Sequence, residues 1–158
     1  MSEPVLELRS ISKNFGSNQA LKDVNLTVPH GSLIVLLGPA GAGKTTTLRI
    51  IAGLEAPSSG EVFIEGMDFT QHQPNQRDIA MIFDNLALYP NKNGFDNIAA
   101  PLRIARRPKD EIKRRVMEIA DLMKIGHILD RTPATFSGGE RQRVALGRAM
   151  IREPRFYL

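Results

Sequence analysis

The residues best suited to chemistry stand in one short stretch, Gly38-Pro39-Ala40-Gly41-Ala42-Gly43-Lys44-Thr45-Thr46. Its glycines lack side chains, so successive backbone N–H groups can converge on one point and bind an anion. Lys44 adds a mobile full charge for terminal phosphates. The Thr45 hydroxyl is a hard oxygen ligand, suited to a Mg²⁺ ion that already carries phosphate oxygens and water. The stretch therefore predicts a site for a phosphate-bearing ligand and magnesium.

The flanking segments make this prediction more specific. The spacing at Gly38, Gly43, Lys44 and Thr45 fits the P-loop pattern G-x-x-x-x-G-K-[ST]. An apolar run at residues 33–37 predicts a buried strand before the loop, and the pattern of residues 48–54 predicts a helix after it. The N-terminus of that helix adds partial positive charge. We expect a nucleoside triphosphate with magnesium; the alternative is a glycine-rich turn that only connects strand to helix.

A second stretch, Ser137-Gly138-Gly139-Glu140, begins a predicted helix that runs to about Arg152. Ser137 and Glu140 form the capping box S-x-x-E, which is sufficient to start the helix. Adjacent glycines in a first turn cost about 1 kcal/mol each relative to alanine, so packing alone does not account for them. Close approach of the backbone to another molecule is the better explanation, and the exposed helix N-terminus predicts a second anion site.

Composition narrows the class of protein. The chain has 158 residues, of which 42% are hydrophobic and 24% charged, as in one ordinary globular domain or part of one. No apolar run approaches the ~18 residues of a membrane span, and Met1-Ser2-Glu3-Pro4 does not begin a secretory signal. The absence of cysteine excludes disulfides and thiolate metal sites and favours the cytosol. A net charge of +4 without interleaved aromatics does not predict nucleic-acid binding.

The remaining patterns predict an α/β protein. Alternating apolar residues around Leu6 and Leu8, and from Val24 to Val28, indicate half-buried strands. Residues 61–65 predict a short strand, and residues 79–83 a buried one. After Asp84 helical patterns take over, with the clearest helix between Pro108 and Gly126. We expect a parallel α/β core with a small antiparallel addition near its N-terminal side, followed by a helical subdomain.

The two motifs together resemble the nucleotide-binding subunit of an ABC transporter. The whole chain is similar to the first part of that family, and Ser-Gly-Gly-Glu-Arg-Gln-Arg-Val-Ala-Leu stands where the family has its signature motif. The resemblance implies a P-loop NTPase (RecA-like) core with an N-terminal antiparallel β-subdomain and an inserted helical subdomain. It implies one ATP-binding domain over 1–158, with the core and β-subdomain at 1–84, the helical subdomain at 85–136, and the signature helix and the next core strand at 137–158.

By this resemblance, ATP lies between two subunits. One subunit contributes the P-loop residues 38–46, including Thr46 on the α-phosphate, and Phe15 on the adenine face. The alternative for Phe15 is an ordinary packing role. The other subunit contributes the signature residues Ser137, Gly138, Gly139 and Glu140. Closure around ATP then drives transmembrane permease subunits between inward- and outward-facing states.

The sequence departs from the family at two places. Asp84 stands where the family has glutamine; with Thr45 it is a candidate Mg²⁺ ligand, and we expect slow turnover or an asymmetric pair of sites. At the C-terminus, Arg155-Phe156-Tyr157-Leu158 begins a strand that the family continues into a Mg²⁺-binding aspartate and a catalytic glutamate. Neither acid is in this sequence, so the resemblance predicts a domain truncated before the acidic strand end, with weak nucleotide binding and little hydrolysis alone.

The functional expectation is the ATP-hydrolysing subunit of an ABC importer on the cytoplasmic membrane face, working with a second ATP-binding subunit and permease subunits. The segment Ala-Leu-Tyr-Pro at residues 87–90, preceded by Arg77-Asp78-Ile79-Ala80-Met81, is most similar to the carbohydrate-import branch. Two alternatives remain open. One is a soluble ABC-type ATPase that acts on ribosomes or DNA, and the other is a non-hydrolysing nucleotide-binding module.

Overall fold

Two long antiparallel strands open the part of the chain that this computed structural model describes, residues 4–158. They are β1 (Leu6–Phe15) and β2 (Asn18–Val28). β3 (Ser59–Ile64) pairs with the other edge of β1, and the short β4 (Met67–Asp68) pairs with β3, giving the order β2-β1-β3-β4. The predicted antiparallel addition is therefore confirmed. The expectation about Met1-Ser2-Glu3 lies outside the described residues.

One face of this sheet is buried because apolar residues face each other across the strands. Leu6 lies opposite Ile64 and Leu8 lies opposite Val62, and all four side chains are buried. Arg9, the next residue of β1, is exposed. Such cross-strand pairs are the units that stabilise a sheet, and the alternation in the sequence predicts which face they cover.

The helix after the P-loop is α1 (Lys44–Ile51). Its C-terminal carbonyls are bound by Arg77, whose Nη1 donates to Ile50 O at 2.9 Å and Ile51 O at 2.8 Å. Nε and Nη2 of Arg77 each donate to His72 O at 3.0 Å. The guanidinium is buried, and burial lowers the pKa of Arg77 while the Asp68 carboxylate opposes that shift. Arg77 thus fixes the end of α1 opposite to the P-loop.

The strand predicted at residues 33–37 is not formed. These residues have no regular secondary structure, and the Leu33 and Leu37 side chains are 90% and 87% exposed. A parallel strand needs hydrogen-bonded neighbours, and in residues 4–158 no strand pairs with this segment. The prediction of a buried strand at residues 33–37 is therefore wrong for this structure.

Three helices form the second unit: α2 (Gly94–Ile104), α3 (Lys109–Met123) and α4 (Gly138–Met150). Short 3-10 turns at Gly126–Ile128 and Pro133–Thr135 connect α3 to α4. Their shared core is made of Ile98, Ala99, Leu102, Ile112, Val116, Ala120, Ile125, Ile128, Leu129, Phe136, Val144 and Ile151. Gly147 permits this packing, because a Cβ there would lie 2.8 Å from Ile119 Cγ2.

Two further predicted strands are not formed. Residues 79–83 and the segment from Arg155 to Leu158 make only an isolated parallel bridge between Ala80 and Tyr157. The Ala80 amide donates to Phe156 O at 3.3 Å. The parallel direction agrees with the expected core, but the pairing stops at one bridge because no further hydrogen-bonded neighbours extend it in the described chain.

The chain divides into one unit that ends at Ile79 and includes Leu158, and a second unit, Ala80–Tyr157. The subdomain boundaries expected from the sequence put the helical subdomain at 85–136, and the signature helix with the next core strand at 137–158. In the structure α4 packs in the same unit as α2 and α3. No helix among residues 4–158 is long and apolar enough to span a membrane.

Candidate nucleotide-binding site

A pocket of about 320 Å³ lies in the first unit where the β1–β2 turn meets the start of α1. Its walls come from three short segments: Phe15, Asn18-Gln19-Ala20 and Gly41-Ala42-Gly43-Lys44-Thr45-Thr46. The structure thus brings the predicted aromatic and most of the predicted phosphate loop to one place. Gly38, Pro39 and Ala40 do not line the pocket themselves.

The N-terminus of α1 is open towards an anion. Gly43 is its N-cap residue, and no side chain caps the helix. Thr47 N is the first amide to bond within the helix, to Gly43 O at 2.8 Å, so the amides of Lys44, Thr45 and Thr46 precede the first intrahelical bond. Gly43 has φ 82°, and a Cβ there would lie 2.4 Å from Leu21 Cδ2. Only glycine fits this position, and the donor set fits phosphate.

Lys44 lies over the loop that precedes it. Its Nζ donates to Gly38 O and Pro39 O, both at 2.8 Å. An ammonium group has three donors, so one remains for a ligand. These bonds explain why Gly38 and Pro39 matter to the site although they do not line the pocket: their carbonyls hold the ammonium at its edge.

Phe15 is the last residue of β1 rather than part of the turn that follows it, and its side chain is 47% exposed. Lys13 Nζ lies 5.0 Å from the Phe15 ring centroid and pairs with Glu55 Oε1 at 2.7 Å. Phe15 also lines the pocket, so its ring offers an aromatic surface there. The sequence did not identify the neighbouring Asn18, Gln19 and Ala20, whose only signal was their position just after the turn that follows Phe15.

The two candidate metal ligands lie in different units. The Thr45 side chain is exposed at the start of α1, and Asp84 is exposed in a turn of the second unit. Within residues 4–158 no three histidine, aspartate or glutamate side chains converge as a metal cluster. The chemistry of the Thr45 hydroxyl fits Mg²⁺, and so does a carboxylate at Asp84.

The predicted capping box is present at the start of α4. Ser137 N donates to Glu140 Oε2 at 2.7 Å, and Glu140 N donates to Ser137 Oγ at 3.3 Å. The hydrogen bond from the Ser137 backbone N–H is the main cause that lowers the pKa of Glu140. Cβ atoms added at Gly138 or Gly139 would meet nothing within 4 Å in the described chain. Packing within the chain therefore does not require either glycine.

Comparisons with known proteins agree with both motifs. The sequence profile of one family, described as ABC transporter, matches residues 21–158. The chain is 48% identical over 153 residues to an sn-glycerol-3-phosphate import ATP-binding protein, UgpC 1, of Rhizobium etli, covering 97% of this chain and 44% of that protein. It is 46% identical to a sulfate/thiosulfate import ATP-binding protein, CysA, of Methylococcus capsulatus, covering 97% and 45%.

A third relative is a spermidine/putrescine import ATP-binding protein, PotA, of Aggregatibacter actinomycetemcomitans, 41% identical over 99% of this chain and 42% of its own length. The chain thus spans less than half the length of these curated relatives. The dimeric, post-hydrolysis structure of the ATP-binding cassette MJ0796 bound to ADP and Pi superposes with a TM-score of 0.82 at 30% identity, over 94% of this chain and 70% of that one.

The fold of this chain is that of the ATP-binding cassettes, a P-loop NTPase fold with an antiparallel sheet beside the P-loop helix. The family profile covers both the P-loop and the Ser137 helix start, as the two motifs predicted. The chain belongs to the ABC transporter family.

Proposed function

We propose that this chain is the nucleotide-binding part of an ATP-hydrolysing subunit of an ABC importer. The observation that carries this proposal is the pocket in which Phe15, the uncapped start of α1 and Lys44 meet. An aromatic surface, open amides and a cation in one pocket are complementary to a base, a row of phosphates and a terminal negative charge.

Each pocket residue has a distinct role in this proposal. Phe15 packs on adenine, and the amides from Gly41 to Thr46 bind the phosphates. Lys44 neutralises the terminal phosphates. The Thr46 hydroxyl binds the α-phosphate. The Thr45 hydroxyl would hold Mg²⁺, which would lower the negative charge of the triphosphate, and Asp84 is the second ligand that the resemblance implies.

The second half of the ATP site comes, in this proposal, from another subunit. Ser137, Gly138, Gly139 and Glu140 of that subunit approach the γ-phosphate through the N-terminus of its α4. The open space around both glycines supports this, because a phosphate could approach their backbone without displacing other groups. The dimeric cassettes among the solved relatives support it as well.

Import is favoured by the names of the curated relatives, which are import ATP-binding proteins. We propose permease subunits as partners and the cytoplasmic membrane face as location. Relatives named for sn-glycerol-3-phosphate support the narrower proposal of a carbohydrate-type solute, together with Ala-Leu-Tyr-Pro at residues 87–90. These names favour transport over the ribosome- or DNA-acting alternative.

Nucleotide binding by the full-length protein tests the proposal. Lys44→Ala should weaken the affinity for Mg²⁺-ATP at least tenfold in a calorimetric titration, because the terminal phosphates lose their full counter-charge. Lys22→Ala is the matched control, since Lys22 is an exposed lysine of β2 that does not line the pocket. Equal affinities of Lys44→Ala and the wild type would refute the proposal.

A further inference from the structure

The start of α4 carries an acid at the place where we propose that a partner's phosphate binds. Glu140 lies in the first turn of the helix, next to Gly139. A helix N-terminus attracts both a carboxylate and a phosphate, but these two anions repel each other at short range. A capping box forms equally with glutamine, so capping alone does not require the charge. The charge of Glu140 must therefore be offset if a phosphate is to bind beside it.

One oxygen of this carboxylate is bound by the helix start itself. Glu140 Oε2 accepts from Ser137 N at 2.7 Å, and Glu140 N donates to Ser137 Oγ at 3.3 Å. Arg141 N is the first amide to bond within the helix, to Ser137 O at 3.0 Å, so the amides of Gly138 and Gly139 precede the first intrahelical bond. The carboxylate is thus fixed beside Ser137 while two amides remain for a phosphate.

The other oxygen, Oε1, faces two groups from the connection between α3 and α4. His127 Nε2 lies 3.3 Å from it and Arg131 Nη1 lies 4.0 Å from it. The bonds with Ser137 are the main cause that lowers the pKa of Glu140, and the contacts with His127 and Arg131 lower it further. All of these groups favour the ionised carboxylate, so Glu140 is charged at neutral pH.

Arg131 is held in place by groups other than Glu140. Its Nε donates to Thr135 Oγ1 at 3.3 Å and its Nη2 to Thr135 O, while its own carbonyl accepts from Gly94 N at 2.9 Å. The side chain is 44% exposed, against 14% for Glu140, so water screens part of their attraction in a single subunit. A second subunit that covered this surface would displace that water and strengthen the attraction.

We propose that Arg131 and His127 neutralise the Glu140 carboxylate, so that the Ser137 helix start can bind a partner's phosphate beside an acid. Arg131 supplies the charge, since an arginine stays protonated in proteins, and His127 supplies a hydrogen bond from Nε2 to the same oxygen. This inference deepens the proposed function and rests on it for the ligand. Arg131 is a positioning residue here, because it acts on the phosphate through Glu140.

Nucleotide-driven pairing of the full-length protein tests the inference. Light scattering gives the concentration of a non-hydrolysable Mg²⁺-ATP analogue at which half of the protein is dimeric. Arg131→Gln should raise this concentration by roughly fivefold or more, because the charge of Glu140 then faces the phosphate without its counter-charge. Arg143→Gln removes the same charge from an exposed position of α4 and should leave the concentration unchanged.

A rescue experiment separates this role from a merely structural one. Glu140→Gln keeps an oxygen that accepts from Ser137 N but removes the charge. In that background, adding Arg131→Gln should change the concentration by less than about twofold, since no charge is left to neutralise. An equal rise in both backgrounds would overturn the proposal, because Arg131 would then act on the phosphate directly or on the fold of the connection.

His127→Ala carries the same comparison if Arg131→Gln does not fold. The His127 side chain is 63% exposed, so its removal leaves no cavity in the core. His127→Ala should raise the half-maximal concentration by about twofold or more in the wild-type background and leave it unchanged in Glu140→Gln. The same rise in both backgrounds would show that His127 does not act through Glu140.

The charge pairing has a measurement that needs no nucleotide. In carbon-13 NMR spectra of the full-length protein, Arg131→Gln should move the titration midpoint of the Glu140 carboxyl to higher pH, since the ionised form loses a partner. Arg143→Gln should not move it. If the analogue does not dimerise the wild type, the proposed function fails, and this titration still decides the pairing. An unchanged midpoint in Arg131→Gln would overturn it.

Discussion

Some residues of the proposed nucleotide pocket could be identified from the spacing of residues in the sequence, and others could not. Gly43 and Lys44 were predictable because the P-loop pattern is local and its backbone needs are specific to glycine. The structure adds that a Cβ at Gly43 would strike Leu21, which no local pattern reveals. Asn18, Gln19 and Ala20 were missed because the sequence pattern predicted the second strand only from Val24 to Val28, whereas β2 begins at Asn18, which pairs with Phe15.

Under the proposed function, replacing Asp84 with glutamine should raise the rate of turnover. A second negative charge beside a γ-phosphate costs about 4 kcal/mol at 4 Å and an effective dielectric of 20, less whatever the metal offsets. Asp84→Gln removes that charge, so we expect the steady-state ATPase rate of the full-length protein to rise by about tenfold or more. Asp121→Gln, at an exposed position of α3, is the control. An unchanged rate in Asp84→Gln would show that the carboxylate does not slow the reaction.

At the scale of elements, α1 depends on a residue outside it. Its predicted N-terminal features are local, but the carbonyls at its end are bound by Arg77, which follows it by 26 to 27 positions. A side chain that far along the chain cannot be assigned to a helix end from the sequence. The capping box of α4, by contrast, is local, and it was predicted and is confirmed.

Replacing Arg77 should destabilise the first unit strongly. Arg77→Met removes this donor from the carbonyls of Ile50, Ile51 and His72, and its bonds to Ile50 and Ile51 are buried. One unsatisfied buried group costs about 1–3 kcal/mol. We expect the free energy of unfolding, measured by urea titration, to fall by about 3 kcal/mol or more. Arg77→Lys should lower the free energy of unfolding by less than Arg77→Met. Arg49→Gln, at an exposed position of α1, should lower the free energy of unfolding only a little. A similar decrease for Arg49→Gln and Arg77→Met would contradict the role of Arg77.

The N-terminus of α4 should be sensitive to acid through Glu140. The bond from Ser137 N lowers the folded-state pKa of Glu140 below its ordinary 4.5. The carboxylate therefore stabilises the helix start above that pH, and the stabilisation is lost as pH falls through the lower folded-state value. The Ser137 amide proton shift should titrate below pH 4.5 in NMR spectra.

Glu140→Gln keeps an oxygen that accepts from Ser137 N but cannot ionise, so the Ser137 amide shift should become independent of pH in that range. Glu118→Gln, which changes an exposed carboxylate of α3, should leave the titration of Ser137 unchanged. A titration that persists in Glu140→Gln would mean that another group controls this helix start.

At the scale of the whole molecule, the sequence predicted the kinds of element better than their assembly. The β1–β2 pairing, α3 and α4 follow from local alternation, periodicity and capping, and all are present. The strand predicted at residues 33–37 is absent, because a parallel strand exists only where neighbours pair with it and the described chain supplies none. Patterns along the chain report propensity, whereas a parallel sheet is a property of several distant segments together.

In the proposed function, the helix starts of α1 and α4 bind one triphosphate from two subunits. Gly139→Val places a bulky side chain where the described chain leaves open space, so it should obstruct a partner's phosphate without disturbing packing within the subunit. Gly126→Val is the matched control, because Gly126 is also exposed and has equally open surroundings. Circular dichroism melts of both variants check that each remains folded.

The most direct measurement is the mass of the full-length protein by light scattering, with and without a non-hydrolysable Mg²⁺-ATP analogue. We expect the analogue to double the mass of the wild type and of Gly126→Val, while Gly139→Val and Lys44→Ala keep the mass that they have without nucleotide. Nucleotide-dependent doubling of the mass of Gly139→Val to the same extent as the wild type would show that the start of α4 does not bind the partner's triphosphate.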